Sequence, residues 1–342
     1  MERASRDAGT GTFVADALVV PPPPSVHLAS DTTRAALRVQ HRLLMRVRAF
    51  LDEQGFVEIQ LPVVGPVTDP GIRGSKQIDV DYYGHRYKLM TSGIFYKQAA
   101  MLALKKIYYV APNVRMEPVE TADTNRHLAE FHQIDLEWSG ATREDVMQVV
   151  ESMLRRVLPQ VAEDSRSDFE ILERDIGEFL ARVERPFATV AHSDAVADLR
   201  RLGHGQSADA EIDWEGEAIL SGRSGSLFFI TDYPKGSRGF YDREDPDCEG
   251  ILRNFDLLAP EGYGELASGS EREYVYETLI SRMRETGENP GKYRWYLDLA
   301  REGIPASAGC GLGVERLTRF VTGLDAVWRA VAFPKLPGVA AP

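Results

Sequence analysis

Apolar side chains recur at helical spacing between residues 33 and 54, where Ala36, Val39, Leu43, Val47 and Phe50 fall on one face and basic residues occupy the other, solvated one. This period predicts an amphipathic helix. Ser30, Asp31 and Thr32 supply N-cap candidates and Gly55 ends it. Phe56 to Pro62 then reads as a strand stopped by proline, and further strands are expected at 87–90, 107–110 and 129–138. In the last of these, His132, Ile134, Leu136 and Trp138 share one face while Gln133, Asp135 and Glu137 share the other. Three polar side chains on one strand face require a functional reason.

A second amphipathic helix is expected at 142–158, carrying Val146, Val149, Val150, Met153, Leu154 and Val157. Acidic residues in its first turn and Arg155 and Arg156 in its last suit the helix dipole. From 160 to 225 the pattern is mixed and reads as a variable insertion or helical lid. Strand signals return at 226–231, 253–258 and 265–269, followed by helices near 271–285, 291–301 and 314–322. Irregular strand spacing with few strand–helix–strand alternations favours an α+β fold built on an antiparallel sheet. No internal repeat is present.

Length and composition narrow the class. A chain of 342 residues with 43% hydrophobic and 27% charged content buries a large core. Its formal charge of −12 argues against a polyanion as main partner, because affinity for nucleic acid comes from Lys and Arg neutralising phosphates. Cys248 and Cys310 lack metal-site spacing, and the seven histidines form no zinc-like cluster. Phe13 to Val20 is apolar but short, interrupted by Asp16 and without a cleavage pattern, so neither a signal peptide nor a membrane span is expected, and a cytoplasmic protein is. The prolines 21–24 predict a polyproline segment, making residues 1–30 a flexible Pro-rich tail ahead of one domain at 31–342.

The candidate chemistry lies in two arginine-centred patterns. Val-Arg-Met-Glu-Pro-Val-Glu-Thr-Ala-Asp-Thr-Asn-Arg-His-Leu-Ala-Glu-Phe carries Arg115, Glu117, Arg126, His127, Glu130 and Phe131, and Gly-Leu-Gly-Val-Glu-Arg ends at Arg316, about 200 residues later. Together they describe a pocket for ATP. Arginine suits phosphate because its planar fork gives two directed donors and a permanent charge, so Arg115 and Arg316 are the phosphate ligands. Phe131 offers a stacking face and Glu117 an acceptor for the adenine amino group. Taken alone, Arg115 and Glu117 would pass for a surface ion pair. Asp256 and Glu265, on adjacent predicted strands, can hold Mg²⁺, a hard ion that needs one or two protein carboxylates beside phosphate and water oxygens. Arg272 follows a Gly-rich bend and can clamp a substrate carboxylate. Lys97, in Thr-Ser-Gly-Ile-Phe-Tyr-Lys-Gln, opens a predicted helix among apolar neighbours, and a solvated lysine is its bland reading.

These residues resemble the catalytic domain of class II aminoacyl-tRNA synthetases of the aspartyl/asparaginyl branch. Gly55–Pro62 resembles the first motif, with its dimer-interface proline; 115–137 resembles the second and 311–316 the third, within a match over about 35–338. The resemblance implies a six- or seven-stranded antiparallel sheet flanked by helices, and a homodimer. It implies Arg115 at the α-phosphate, Glu117 and Phe131 at adenine, Arg316 at the γ-phosphate, His127 in the ATP pocket, and Asp256 and Glu265 at the metal. Ser92, Gln133 and Asp135 go to the amino-acid side, and Lys97 with Arg272 to recognition of an aspartate carboxylate. Two departures stand out: Pro70-Gly71-Ile72-Arg73 replaces the family's Glu-Gly-Ala-Arg, and Arg238-Gly239-Phe240-Tyr241 replaces Arg-Pro-Phe-Tyr.

Only some thirty residues precede the first helix, where tRNA-charging members carry an anticodon-reading β-barrel. The compact length, Ser-Gly-Ser-Glu-Arg-Glu at 268–273 and Phe-Pro-Lys-Leu-Pro-Gly at 333–338 resemble archaeal asparagine-synthetase-related paralogues. The expectation is therefore ATP- and Mg²⁺-dependent activation of L-aspartate as an acyl-adenylate and its amidation by ammonia, with AMP released. The alternative is transfer of aspartate or a related acid to another small amine, a carrier or a protein. Charging of tRNA is the least expected, and a non-catalytic binding role is disfavoured by the intact Arg115, Arg316, Asp256 and Glu265.

Overall fold

The computed structural model describes residues 20–70 and 74–340. The apolar run from Phe13 and the departure at 71–73 therefore lie largely outside the described residues. The strands are β1 (Val57–Glu58), β2 (Val64–Gly65), β3 (Asp79–Tyr82), β4 (His85–Leu89), β5 (Lys106–Val114), β6 (Glu130–Ser139), β7 (Ala188–Ala191), β8 (Phe228–Thr231), β9 (Asn254–Ala259), β10 (Gly264–Glu271) and β11 (Ser307–Gly313). The helices are α1 (Pro24–His27), α2 (Asp31–Glu53), α3 (Ile94–Ala100), α4 (Arg143–Asp164), α5 (Arg166–Ile171), α6 (Ile176–Val183), α7 (His192–Arg201), α8 (Trp214–Arg223), α9 (Tyr276–Glu285), α10 (Arg294–Glu302) and α11 (Val314–Thr322).

An eight-stranded sheet in the order β1-β5-β6-β11-β10-β9-β8-β7 organises the fold. Its six central strands pair antiparallel, and only the edges, β1 on β5 and β7 on β8, pair parallel. The expected α+β fold with an antiparallel-dominated sheet is thus what forms, with two parallel edge strands added. The strand pattern at 87–90 belongs instead to a separate three-stranded sheet, β2-β4-β3.

One sheet face carries the main core. Ile134 and Leu136 of β6 and Cys310 and Leu312 of β11 pack with Val39, Leu43 and Val47 of α2, Val150, Leu154 and Val157 of α4, and Leu317 and Phe320 of α11. Burying aliphatic side chains of this size stabilises by about 1.5–3 kcal/mol each, which holds a strand rigid whose alternate residues are polar. A second cluster, with Phe95, Phe240, Tyr293, Tyr296 and Leu279, lies apart from it.

Several expectations change on packing. The strand expected at 56–62 contracts to two residues because Phe56 turns into the core, 6.2 Å from the Trp138 ring. Helix α4 runs through Pro159 to Asp164: the proline forfeits one backbone hydrogen bond, but Leu158, Val161 and Ala162 are buried and keep the helix in place. The helix expected from Glu271 starts at Tyr276, since β10 continues to Glu271. The basic face of α2 is not simply solvated, because Arg38 Nε donates to Asp168 at 2.8 Å and Arg46 Nε to Asp164 at 2.8 Å.

Residues 160–225 are built into the fold. They supply β7 to the sheet edge, and Phe169, Phe179 and Val183 to the main core. Ahead of Ser30, His27 is buried and its Nε2 lies 2.7 Å from the Val331 carbonyl oxygen, so α1 already packs on the fold. No helix among the described residues is long and apolar enough to cross a membrane.

Candidate active site

The polar face of β6 looks into a cleft, and the neighbouring strand explains why it can. Gly309, Gly311 and Gly313 of β11 stand opposite Glu137, Asp135 and Gln133. A methyl group on Gly309 would meet Glu137 Oε2 at 2.1 Å, and one on Gly311 would meet Gln133 Nε2 at 2.7 Å. Alternating glycines therefore clear a floor across which the β6 side chains lie flat. Cys310 and Leu312, between them, point the other way into the core. This Gly-x-Gly-x-Gly alternation was the available signal for β11, which the sequence reading did not assign as a strand.

Every predicted site residue except Asp256 lines this one cleft. At one end Arg115 Nε donates to the Thr91 carbonyl at 3.1 Å, and its guanidinium lies 5.2 Å from the Phe131 ring centre. Glu117 and His127 also line the cleft. Arg316, in the first turn of α11, donates to the Arg126 carbonyl and to Glu265 Oε1, each at 3.2 Å. The α11 helix thus ties the third pattern to the loop of the second.

At the other end the charges are buried and paired. Lys97 forms an ion pair with Asp135 and lies 3.4 Å from Glu137 Oε2. Arg272 donates from Nε to Glu137 Oε1 at 3.1 Å and from Nη1 to Ser270 at 2.7 Å, and Ser307 donates to Glu137 Oε1 at 2.7 Å. Burial pushes the Glu137 carboxyl up, but Arg272 and Lys97 outweigh it and hold it below the usual carboxylate range. Burial raises Asp242, which Arg272 only partly offsets. Gln133 is oriented by Asn113, whose Nδ2 donates to its Oε1 at 2.7 Å, and Ser92 lines the same wall.

Asp256 is placed differently. It is buried behind the cleft, where Arg238 Nη2 donates to its Oδ2 at 2.6 Å. Its Oδ1 is buried with no hydrogen-bond partner. Burial raises its pKa to about 6; Arg238 opposes this, while Glu265 and Glu211 add to it. A carboxylate oxygen without a donor, repelled by neighbouring carboxylates, suits a divalent cation, so the predicted metal pair fits through this oxygen and Glu265. No group of three or more metal-ligating side chains occurs among the described residues.

The sequence reading missed the wall supplied by 214–242. Arg238, noted only as part of an altered motif, is buried, pairs with Glu211 at 2.9 Å and lies 4.2 Å from the Tyr233 ring centre. Trp214 and Glu217 come from α8, within the segment read as an insertion. Tyr241 donates to Asp69 Oδ2 at 3.0 Å, and both line the cleft.

The sequence matches the family model described as tRNA synthetases class II (D, K and N) over residues 24–337. The asparagine–tRNA ligase of Pyrococcus abyssi is 33% identical over 318 residues, 91% of this chain and 70% of that protein. The asparagine–tRNA ligase of Sorangium cellulosum is 34% identical over 321 residues, 90% of this chain and 71% of that protein. Among solved structures, asparaginyl-tRNA synthetase from Pyrococcus horikoshii complexed with asparaginyl-adenylate superposes with a TM-score of 0.86 at 31% identity, covering 93% of this chain and 72% of that one.

Two expectations are corrected by these relatives. They are named for joining asparagine to tRNA, which overturns both the amidation of aspartate by ammonia and its small-amine alternative, and removes the exclusion of tRNA as partner. The physical errors are identifiable. Lys97, which the resemblance gives with Arg272 to recognition of an aspartate carboxylate, forms an ion pair with Asp135 and lies 3.4 Å from Glu137 Oε2. A net charge of −12 is a sum over the whole chain and does not describe any one surface. The chain belongs to the class II tRNA synthetases of the D, K and N group and is an ATP-binding enzyme with ligase activity.

Proposed function

We propose that the chain activates asparagine with ATP as an aminoacyl-adenylate and transfers it to tRNA. The observation that carries this reading is that the cations at the amino-acid end are already compensated: Lys97 pairs with Asp135 and lies near Glu137, and Arg272 pairs with Glu137 and lies 3.8 Å from Asp242 Oδ1. A carboxamide supplies a donor to a carboxylate and an acceptor to a guanidinium without adding charge, whereas an aspartate side chain would bring an anion into an already neutralised, buried site. The relatives' names as asparagine–tRNA ligases, and the asparaginyl-adenylate in the Pyrococcus horikoshii structure, support the same choice.

In this mechanism the amino-acid carboxylate attacks the α-phosphate of ATP and pyrophosphate leaves. Arg115 stabilises charge on the α-phosphate, and its contact with the Thr91 carbonyl fixes the guanidinium before substrate arrives. Arg316 orients the departing pyrophosphate, Phe131 stacks on adenine and Glu117 accepts from its amino group, with His127 beside them. Ser92, Gln133 and Asp135 hold the amino-acid backbone, while Lys97 and Arg272 line the side-chain end of the cleft. Glu265 and Asp256 would hold Mg²⁺, which would supply neutralisation of phosphate charge. A ribose hydroxyl of tRNA then attacks the acyl carbon and AMP leaves.

A homodimer across the β1 edge belongs to the same reading, since Val57 and Val63 are exposed there, and so does a cytoplasmic location, where the three substrates meet. Incubating the protein with unfractionated tRNA, MgATP and labelled asparagine tests the transfer. Acid-precipitable, ribonuclease-sensitive label supports it; adenylate formation with none on tRNA contradicts it.

A further inference from the structure

Glu137 is the acid that grips Arg272, and its capacity is used up. It is fully buried; its Oε1 accepts from Arg272 Nε at 3.1 Å and from Ser307 at 2.7 Å, and its Oε2 accepts from Arg272 Nη2 at 3.2 Å. A carboxylate with both oxygens engaged has little left for a ligand. Asp242 is the contrasting case. It lines the cleft beside Arg272, Ser270 donates to its Oδ1, and Arg272 Nη1 lies 3.8 Å from the same oxygen. Its Oδ2 accepts from none of the described residues and is not sealed from solvent.

Backbone contacts fix where this oxygen sits. Asp242 and Arg272 face each other as an isolated antiparallel bridge. On either side of it, the Glu273 N–H donates to the Tyr241 carbonyl at 2.8 Å and the Arg243 N–H to the Glu271 carbonyl at 3.0 Å. Ser270 sets the direction of the side chain. Its hydroxyl oxygen accepts from Arg272 Nη1 at 2.7 Å, which leaves its hydrogen for Asp242 Oδ1. One hydroxyl thus holds an arginine and a carboxylate side by side on the cleft wall.

A guanidinium next to an open acceptor oxygen matches a carboxamide, whose carbonyl oxygen takes an N–H from arginine and whose NH₂ gives one to the carboxylate. A carboxylate in the same place satisfies Arg272 but meets Asp242 as a like charge in a buried setting. Burial pushes the Asp242 carboxyl up, and Arg272, Ser270, Arg238 and Arg282 all oppose the rise. The oxygen that holds an amide therefore also turns away an acid.

We infer that Asp242 is a specificity-determining residue for the amino acid, its Oδ2 accepting the side-chain N–H of asparagine while Arg272 donates to the carboxamide oxygen. This rests on the asparagine reading proposed above and adds to it the group that tells amide from acid. In the sequence Asp242 directly follows the altered Arg-Gly-Phe-Tyr run, so the segment that departs from the family pattern also delivers the discriminating oxygen.

The test uses the full chain, ATP–pyrophosphate exchange, and three amino acids: asparagine, aspartate and 2-amino-4-oxopentanoate, the methyl ketone in which CH₃ replaces the amide NH₂ and only the N–H donors are lost. The wild-type chain is expected to use the ketone about tenfold to a hundredfold less well than asparagine in kcat/KM, the loss expected for one hydrogen bond to a charged group. In Asp242→Asn, Ser270 donates to the new amide oxygen and leaves the amide nitrogen facing the cleft, so the ratio of asparagine to ketone should fall towards one and the ratio of asparagine to aspartate should drop at least tenfold. Asp242→Ala should also bring the first ratio towards one. Equal use of asparagine and the ketone by the wild-type chain overturns the role of Asp242 without recourse to any variant, and so do variants that keep the wild-type ratios. Wild-type exchange with aspartate and not with asparagine overturns the asparagine reading itself, and the role of Asp242 with it.

Discussion

Gly309 of β11 stands directly opposite Glu137 of β6, with no room for a Cβ between its backbone and the Glu137 carboxylate. The carboxylate is fully buried and tied to Ser307, Arg272 and Lys97, so it cannot swing away. Gly309→Ala should therefore destabilise by about 1–3 kcal/mol or more, the range for overpacking. Urea unfolding is the check, and an unchanged midpoint would mean that Glu137 is freer than its contacts require.

Lys97 and Asp135 are both buried, so removing one strands the other. Lys97→Met should cost on the order of 3–5 kcal/mol, as for a broken buried ion pair. Adding Asp135→Asn should return part of that loss, because no isolated charge then remains. A double variant as unstable as the sum of the single ones would show that the two charges are not coupled.

Arg316 touches Glu265 and the loop of the second arginine pattern, and is proposed to orient the pyrophosphate. Arg316→Ala is expected to slow adenylate formation on the order of a hundredfold to a thousandfold, as when one preorganised electrostatic contact is lost. Thermal stability should change little by comparison, because the side chain is partly exposed. Turnover at the wild-type rate would remove Arg316 from the mechanism.

His132 adds a pH dependence. Its ring lies 2.9 Å from Glu315, whose hydrogen bond raises the His132 pKa above the ordinary 6.5 against a smaller effect of burial. A raised folded pKa means that the contribution is complete below pH 6.5 and is lost as pH climbs through the folded value. Stability measured across that window should fall with rising pH, and His132→Gln should flatten the slope. The size is modest because the ring is half exposed. An identical slope in the variant would assign the titration elsewhere.

The two cysteines differ in reach. Cys248 is exposed, while burial pushes the Cys310 thiol up to about 12. Native protein treated with iodoacetamide at neutral pH should gain one label, and denatured protein two. Rapid double labelling of the native state would contradict the packing of β11.

Much of the frame was legible because its signals are local. The 3.6-residue repeats of α2 and α4 and the α11 segment at 314–322 lie where periodicity puts them, give or take an end. The alternation in β6 also separated the core face from the polar face. What escaped depends on contacts distant in sequence. Arg126 finds Glu217 91 residues away, and Arg272 finds Glu137 135 residues away. No local pattern reveals that a cation is already paired, and that is how Lys97 came to suggest an acid substrate. Residues 160–225 looked irregular because their helices are short and their one strand has four residues at the sheet edge, yet they bring Trp214 to the cleft wall, and Glu211 and Glu217 to Arg238 and Arg126, which line it.

The central claim is that the cleft makes an adenylate of a neutral amino acid. The most direct measurement is ATP–pyrophosphate exchange with MgATP and either asparagine or aspartate, in the absence of tRNA and ammonium. Exchange that depends on asparagine, with aspartate at least tenfold poorer, is the predicted result, a difference of about 1.4 kcal/mol or more in transition-state binding. Exchange driven by aspartate and not by asparagine would contradict it, because the buried Lys97, Asp135, Glu137 and Arg272 would then be accepting an additional negative charge.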